Sequence, residues 1–190
     1  MKHRQIQVTA TALVIAAGVL LFQGWNSSRQ EQKFSEARQL LNSYYHSDAE
    51  RFARALNIGC VLPDGSHNRE EHAPCVLAEQ YGPHCTAEGL DCLQGIPDLM
   101  FGPDRLAYEQ GAEVDLQELT FIEGNDGPRY EAVVAVLREG KEQQHRFQGS
   151  FTLFPTGEEA GKVRFLMPDD QTTWQYYLEK QRNAEERRAE

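Results

Sequence analysis

Cys60, Cys75, Cys85 and Cys92 are the only cysteines of the 190-residue chain, and they fall within one stretch of 33 residues. His67, His72 and His84 are interleaved with them. Thiols and imidazoles at this density admit three chemistries: disulfide cross-links, a zinc site and thiol redox catalysis. Knuckle-type zinc sites need closely spaced ligands, yet the chain has neither CxxC nor HxxxH. A thiol oxidoreductase needs CxxC or a lone activated thiol. The surrounding segment is rich in Gly, Pro, Asp and His and has little periodicity, so burial alone does not order it and cross-links would supply the deficit. An even cysteine count in an oxidising compartment reads as a disulfide framework. Two bridges among these four cysteines are therefore expected, and no metal. The local pairing, Cys60 with Cys75 and Cys85 with Cys92, closes the shortest loops, but spacing leaves all three pairings open.

His84, Asp91, Asp98 and Asp104 are the other candidates for chemistry, as an acid–base group beside the sheet described below. Acids in Pro-Asp steps such as Pro97-Asp98 and Pro103-Asp104 read better as turn and cap residues. The chain contains no phosphate-binding glycine loop, GxSxG, HExxH or internal repeat. No catalytic residue, no cofactor and no metal ligand is expected.

The elements that must position these residues are clearest from Ala112 to Met167. In Gln144 to Phe154, Phe147, Gly149, Phe151 and Leu153 share one parity, while Gln148, Ser150 and Thr152 share the other, which predicts one dry and one wet face. Tyr130 to Leu137 is apolar on both faces and reads as a central strand. Val163, Phe165 and Met167 alternate with Lys162 and Arg164 in a fourth strand. In the first, Val114 to Ile122, the apolar phase slips from Val114 and Leu116 to Leu119 and Phe121, which places a bulge near Gln117 or Glu118. The connections Gly124 to Pro128, Glu139 to Lys141 and Pro155 to Gly161 are short and turn-rich, so neighbours in sequence should pair in the sheet.

Before the cysteines, Phe34, Ala37, Leu41, Tyr44, Asp48, Phe52 and Leu56 recur at helical spacing, which predicts one long helix or two joined near His46 to Asp48. Ser47 with Glu50 is a capping pattern for a second helix. The stripe is expected to cover the dry face of the sheet, with a homo-oligomeric seam as the alternative. Pro103-Asp104 opens a short helix that Gly111 stops. Trp174, Tyr177 and Leu178 mark a C-terminal helix whose polar continuation frays.

The N-terminus carries a different signal. Met1 to Gln7 is short and basic, and Val8 to Phe22 is free of charge. From Ile6 to Trp25 the apolar run of 20 residues spans about 30 Å as a helix, enough for a bilayer. No pair of small residues offers a cleavage site after it, so an uncleaved signal anchor is expected rather than a cleaved peptide. Lys2 and Arg4 orient it with the N-terminus cytoplasmic and the body extracytoplasmic, as in a bacterial inner-membrane protein, with Trp25 at the far interface. Membrane lipid is then the first partner. The net charge of −10 would be repelled by phosphate backbones, so nucleic acid is excluded as a partner.

The expected fold is α+β. It comprises a cytoplasmic tail (1–7), a transmembrane helix (8–25), a neck of one or two amphipathic helices (26–59), a disulfide-stapled irregular insertion (60–111), a bent antiparallel sheet of four strands (112–168) and a C-terminal helix with a frayed tail (169–190). Helices, an irregular insertion and then a bent meander resemble the NTF2-like superfamily, in which a curved sheet wraps N-terminal helices. The resemblance runs from Lys33 to Met167 as an order of elements and includes no diagnostic motif. It implies either a small-ligand pocket or enzyme site in the cone, or a non-enzymatic module such as a membrane-anchored periplasmic assembly subunit. Strand Tyr130 to Leu137 offers no inward acid or His beyond Glu131. That favours the second: a module that binds other envelope proteins.

Overall fold

Residues 32–62, 76–94, 101–170 and 173–178 are described by the structure, a computed structural model. The chain divides into two compact units, Met1–Ser35 and Glu36–Glu190. The expected transmembrane segment 8–25 lies outside the described residues. Among the described residues no helix is long and apolar enough to cross a membrane.

The neck is two helices, α1 (Ser35–Tyr44) and α2 (Ala49–Asn57). Asp48 causes the break: it is extended (φ −142°), and its carboxylate accepts the N–H groups of Glu50 at 2.9 Å and Arg51 at 3.1 Å, as a helix N-cap does. This explains the one polar residue in the apolar stripe. Ser47, the cap that the sequence pattern suggests, has another task. Its hydroxyl accepts the Val114 N–H at 2.8 Å and its own N–H donates to the Val114 carbonyl at 3.0 Å, tying the break to the sheet. Ala37, Leu40, Leu41 and Tyr44 are buried on α1, Phe52 and Ala55 on α2.

The segment expected to be irregular holds three short helices, α3 (Val76–Tyr81), α4 (Ala87–Gln94) and α5 (Gly102–Gln110). Its apolar residues Val76, Leu77, Tyr81, Leu93 and Leu106 are all buried. The first two helices, of 6 and 8 residues, are too short for periodicity to reveal. Thr86 caps α4 through its hydroxyl, which accepts the Gly89 N–H at 3.0 Å. Gly89 lets α4 lie directly on the sheet, since a Cβ there would stand 2.4 Å from the carbonyl oxygen of Val163. The helix opened by Pro103 ends, as expected, at Gly111 in the left-handed region (φ 60°).

The expectation of two disulfides is corrected here. Cys85 and Cys92 are free thiols, Cys85 buried and Cys92 half-buried. Cys60 is disulfide-bonded, and Cys75 lies outside the described residues. Backbone pairing does at Cys85 what a cross-link was expected to do. Val163 donates to the His84 carbonyl at 2.8 Å and Thr86 donates to the Val163 carbonyl at 3.0 Å, fixing the root of α4 against the sheet edge.

The sheet is an antiparallel meander in the order β1-β2-β3-β4, with β1 Glu113–Gly124, β2 Gly127–Arg138, β3 Lys141–Leu153 and β4 Val163–Pro168. β2 is central, as its two-sided apolar pattern requires. The register of β1 against β2 shifts between Leu116 and Glu118, so Gln117 is the bulge that the phase slip predicts. A second shift was not legible. Thr152 pairs with Phe165 and Leu153 with Val163, so Arg164 is extra. Val163 and Leu166 therefore face the core, Phe165 is half-buried and Met167 is 53% exposed, whereas simple alternation puts Phe165 and Met167 inside.

The helices do not cover the sheet as one continuous stripe. Tyr45, just after α1, stacks on Phe147 of β3 with ring centroids 5.8 Å apart, and the Arg38 guanidinium lies 5.2 Å above the Phe121 ring. The Phe52 ring on α2 instead meets Phe101 and Tyr108, the latter on α5. A helical segment at 173–178 completes the layer. Its Trp174 is wholly buried, 5.4 Å from the Phe147 ring.

Candidate functional site

Aromatic rings pack against one another over the inner face of the sheet. Tyr130, buried on β2, projects its ring over Gly149 of β3, where a Cβ would lie 2.4 Å from the ring. Its hydroxyl meets the Tyr45 hydroxyl at 3.2 Å. The rings of Phe121 and Phe151 meet edge to face. Trp174 packs on Gly102, whose absent Cβ would stand 2.6 Å from the indole.

One acid lies among these rings. Asp170 follows β4 and is fully buried. Its Oδ2 accepts the Trp174 indole N–H at 2.8 Å, and that N–H also reaches the Tyr44 hydroxyl at 3.3 Å. Its Oδ1 is buried with no hydrogen-bond partner. Burial pushes the carboxyl up to about 6, against the pull of Trp174, Tyr44 and Tyr45 toward the anion. Burial, then the charge of Asp170, raises the Tyr44 and Tyr45 phenols well above the usual range. Farther along the same face, His145 Nε2 and the Tyr177 hydroxyl are 2.6 Å apart, and that hydroxyl donates to Gln143 Oε1 at 2.6 Å. Desolvation lowers the His145 pKa.

Among the described residues the acid–base candidates sit with separate partners. Asp104 lies in the first turn of α5, accepting the Arg51 guanidinium in a bidentate pair (Nη2 at 2.6 Å) and the Asp48 N–H at 2.8 Å. Burial comes first in raising Asp104 to about 6, and Arg51 opposes it. His84 Nδ1 meets Glu36 Oε2 at 2.7 Å. Asp91 is exposed on α4, and Asp98 lies outside the described residues. The pair Asp104–Arg51 is a strut between α2 and α5. Glu131 faces outward and accepts from Gln148 Nε2 at 2.9 Å. His67 and His72 lie outside the described residues. Among the described residues no cluster of His, Cys, Asp or Glu could hold a metal ion.

The outer face of the sheet is wet. Register sets Ile122, Arg129, Ser150 and Met167 in one row across the strands, and Thr120, Glu131 and Gln148 in the next. Arg129, Gln148, Gly149, Ser150, Met167, Pro168 and Asp169 line an open groove of about 320 Å³. Arg146 and Gln144 lie exposed beyond it, and Ala135 is buried between its neighbours. The two sheet edges differ. β4 is closed at Val163 by residues 84–86, whereas the described backbone bonds outside β1 are those of Ser47 to Val114. β1 carries Glu113, Asp115, Glu118 and Glu123 and its bulge, features that blunt an edge against strand addition.

No protein-family model, no curated protein and no solved structure matches this chain. Its chemistry is read from its own residues. Sequence reasoning missed Arg51, His145 with Tyr177, and Asp170. Asp170 had a signal, since an acid between an apolar strand and a Trp-bearing helix stands where a helix cap is expected. His145 falls on the same parity as Phe147, which places it on the inner face.

Proposed function

We propose that this chain is a single-pass membrane protein with a cytoplasmic N-terminus, whose extracytoplasmic body binds other envelope proteins as a non-enzymatic assembly subunit. The anchor is supported by the apolar run between Ile6 and Trp25, which no pair of small residues marks for cleavage, and by the basic residues before it. The observation that carries the rest is the ring-on-ring filling of the inner face. Tyr45 lies flat on Phe147, with an interplanar angle of 1°, where the pocket of an NTF2-like enzyme would be open. The competing reading, a small-ligand binder or enzyme, needs convergent polar groups around a cavity on that face. The outer face, open and mixed in polarity, suits protein contact.

The test is crosslinking in intact membranes, carbonate washing, and affinity purification after detergent solubilisation. The expected result is a chain that stays in the pellet and comes away crosslinked to a second envelope protein in fixed ratio. A soluble chain whose N-terminus lies beyond Gly24 would remove the anchor. A purified body that carries a small molecule and no protein partner would move the function to the ligand-binding reading.

A further inference from the structure

We propose that the Asp170 carboxyl, buried between the end of β4 and the C-terminal helical segment 173–178, is a proton-operated clip: neutral, it holds the helix on the sheet, and charged, it loosens it. The geometry makes Asp170 the joint of this helix. Its carbonyl accepts the N–H groups of Thr173 at 2.9 Å and Trp174 at 3.2 Å, and its side chain accepts the Trp174 indole N–H. Trp174 in turn is the wedge between Phe147 and Gly102. Whatever changes at Asp170 therefore reaches the helix through one residue.

The groups facing Asp170 are phenols and an indole. The end of α1 and the residue after it supply Tyr44 and Tyr45, β2 supplies Tyr130, and the helix itself supplies Trp174. These can donate to an anion but cannot neutralise it, and Oδ1 has no partner at all. An ionised carboxylate there is buried without a countercharge, a state that costs free energy unless the site opens to water. Asp169, next in the chain, points elsewhere and accepts the Gln148 backbone N–H at 2.7 Å.

The sign follows from linkage. Burial raises the folded pKa of Asp170 to about 6 from an ordinary 3.8. The neutral acid thus stabilises docking fully below the ordinary value, and this contribution is lost as pH rises through about 6. A separation of about two pKa units limits the change in the docking equilibrium to about a hundredfold. The other titratable pin on this helix acts with the opposite sign. His145, which meets Tyr177, has a lowered pKa, so its protonation disfavours docking as pH falls. The two groups can therefore be told apart by direction alone.

Trp25 and Trp174 are the two tryptophans of the chain, so Trp25→Phe in the full-length protein leaves Trp174 as the sole indole reporter. Acrylamide quenching and emission wavelength are read in detergent from pH 4.5 to 8. Quenching is expected to rise several-fold and emission to move red as pH increases, with a midpoint near 6. Asp170→Asn should abolish the rise, while Asp104→Asn, which removes the other buried acid, and His145→Gln should keep it. A flat profile in the parent, a rise only toward acid, or a rise that survives Asp170→Asn or disappears in His145→Gln would overturn the proposal. Should Asp170→Asn fail to fold, the sign of the parent profile and its persistence in His145→Gln decide the matter.

Discussion

Asp104 and Arg51 show what a single residue does in this fold. Arg51 keeps 11% of its side-chain exposure and Asp104 keeps 2%, so neither charge can be solvated alone. Replacing Asp104 by Ala should destabilise the body by about 3 to 5 kcal/mol, because it strands the guanidinium rather than merely deleting a bond. Urea unfolding checks this, and a loss below about 1 kcal/mol would mean that the strut is dispensable. The cysteines give a second prediction. Under denaturing, non-reducing conditions two thiols per chain should be alkylated, Cys85 and Cys92. In the native protein Cys92 should react first, since burial pushes the Cys85 thiol up to about 12. Mass spectrometry of the labelled peptides reads both, and native labelling of Cys85 ahead of Cys92 would contradict the packing. At this scale the sequence was a poor guide. Asp104 read as a turn or cap residue, yet α5 has no side-chain cap bond; its partner Arg51 lies 53 positions away, and no local pattern announces a pairing across two helices. The density of Cys and His suggested cross-links, whereas Cys85 owes its place to backbone pairing with Val163.

Elements were far more legible, because periodicity is a local property. The four strands, a bulge near Gln117 or Glu118 and the stop at Gly111 follow from parity, phase and turn residues, and the break in the neck was one of the two readings that its apolar stripe left open. The failures have physical causes. The second bulge, at Arg164, hides because Phe165 and Met167 preserve an alternating look while the pairing slips by one. Helices α3 and α4 are shorter than the window in which helical spacing accumulates. Two substitutions test the element packing. Gly89→Ala places a methyl group against the Val163 carbonyl and should cost about 1 to 3 kcal/mol, the usual range for overpacking, as α4 is forced off β4. The β2–β3 hairpin offers the opposite sign. Glu139 has φ 52° and Gly140 φ 72°, so Glu139 sits in the left-handed region that a two-residue turn demands. Glu139→Gly or Glu139→Asn should raise the melting temperature by removing that strain. An unchanged or lower value would show that its 3.6 Å pairing with Arg138 matters more than the backbone.

For the whole molecule, the wedge of Tyr45, Phe147 and Trp174 makes Glu36–Glu190 a body whose sheet is covered from within. Leu41, wholly buried on α1, belongs to that covering layer. Leu41→Ala should cost about 2 to 5 kcal/mol, and the thermal midpoint of both forms should be independent of protein concentration. A midpoint that rises with concentration would make the stripe a seam between copies. On the reading proposed above, function is carried by the outer surface of the body and by an N-terminal anchor. The measurement that tests this most directly is site-specific photocrosslinking in intact cells. The full-length chain would carry the photoreactive side chain at Arg146 or Gln148, exposed on the outer face of β3, or at Glu79 on α3 as a control. The account predicts adducts with a different, membrane-associated protein from the two β3 positions and none from Glu79. Adducts from Glu79 alone, adducts only with a second copy of the chain, or none from either β3 position would contradict it.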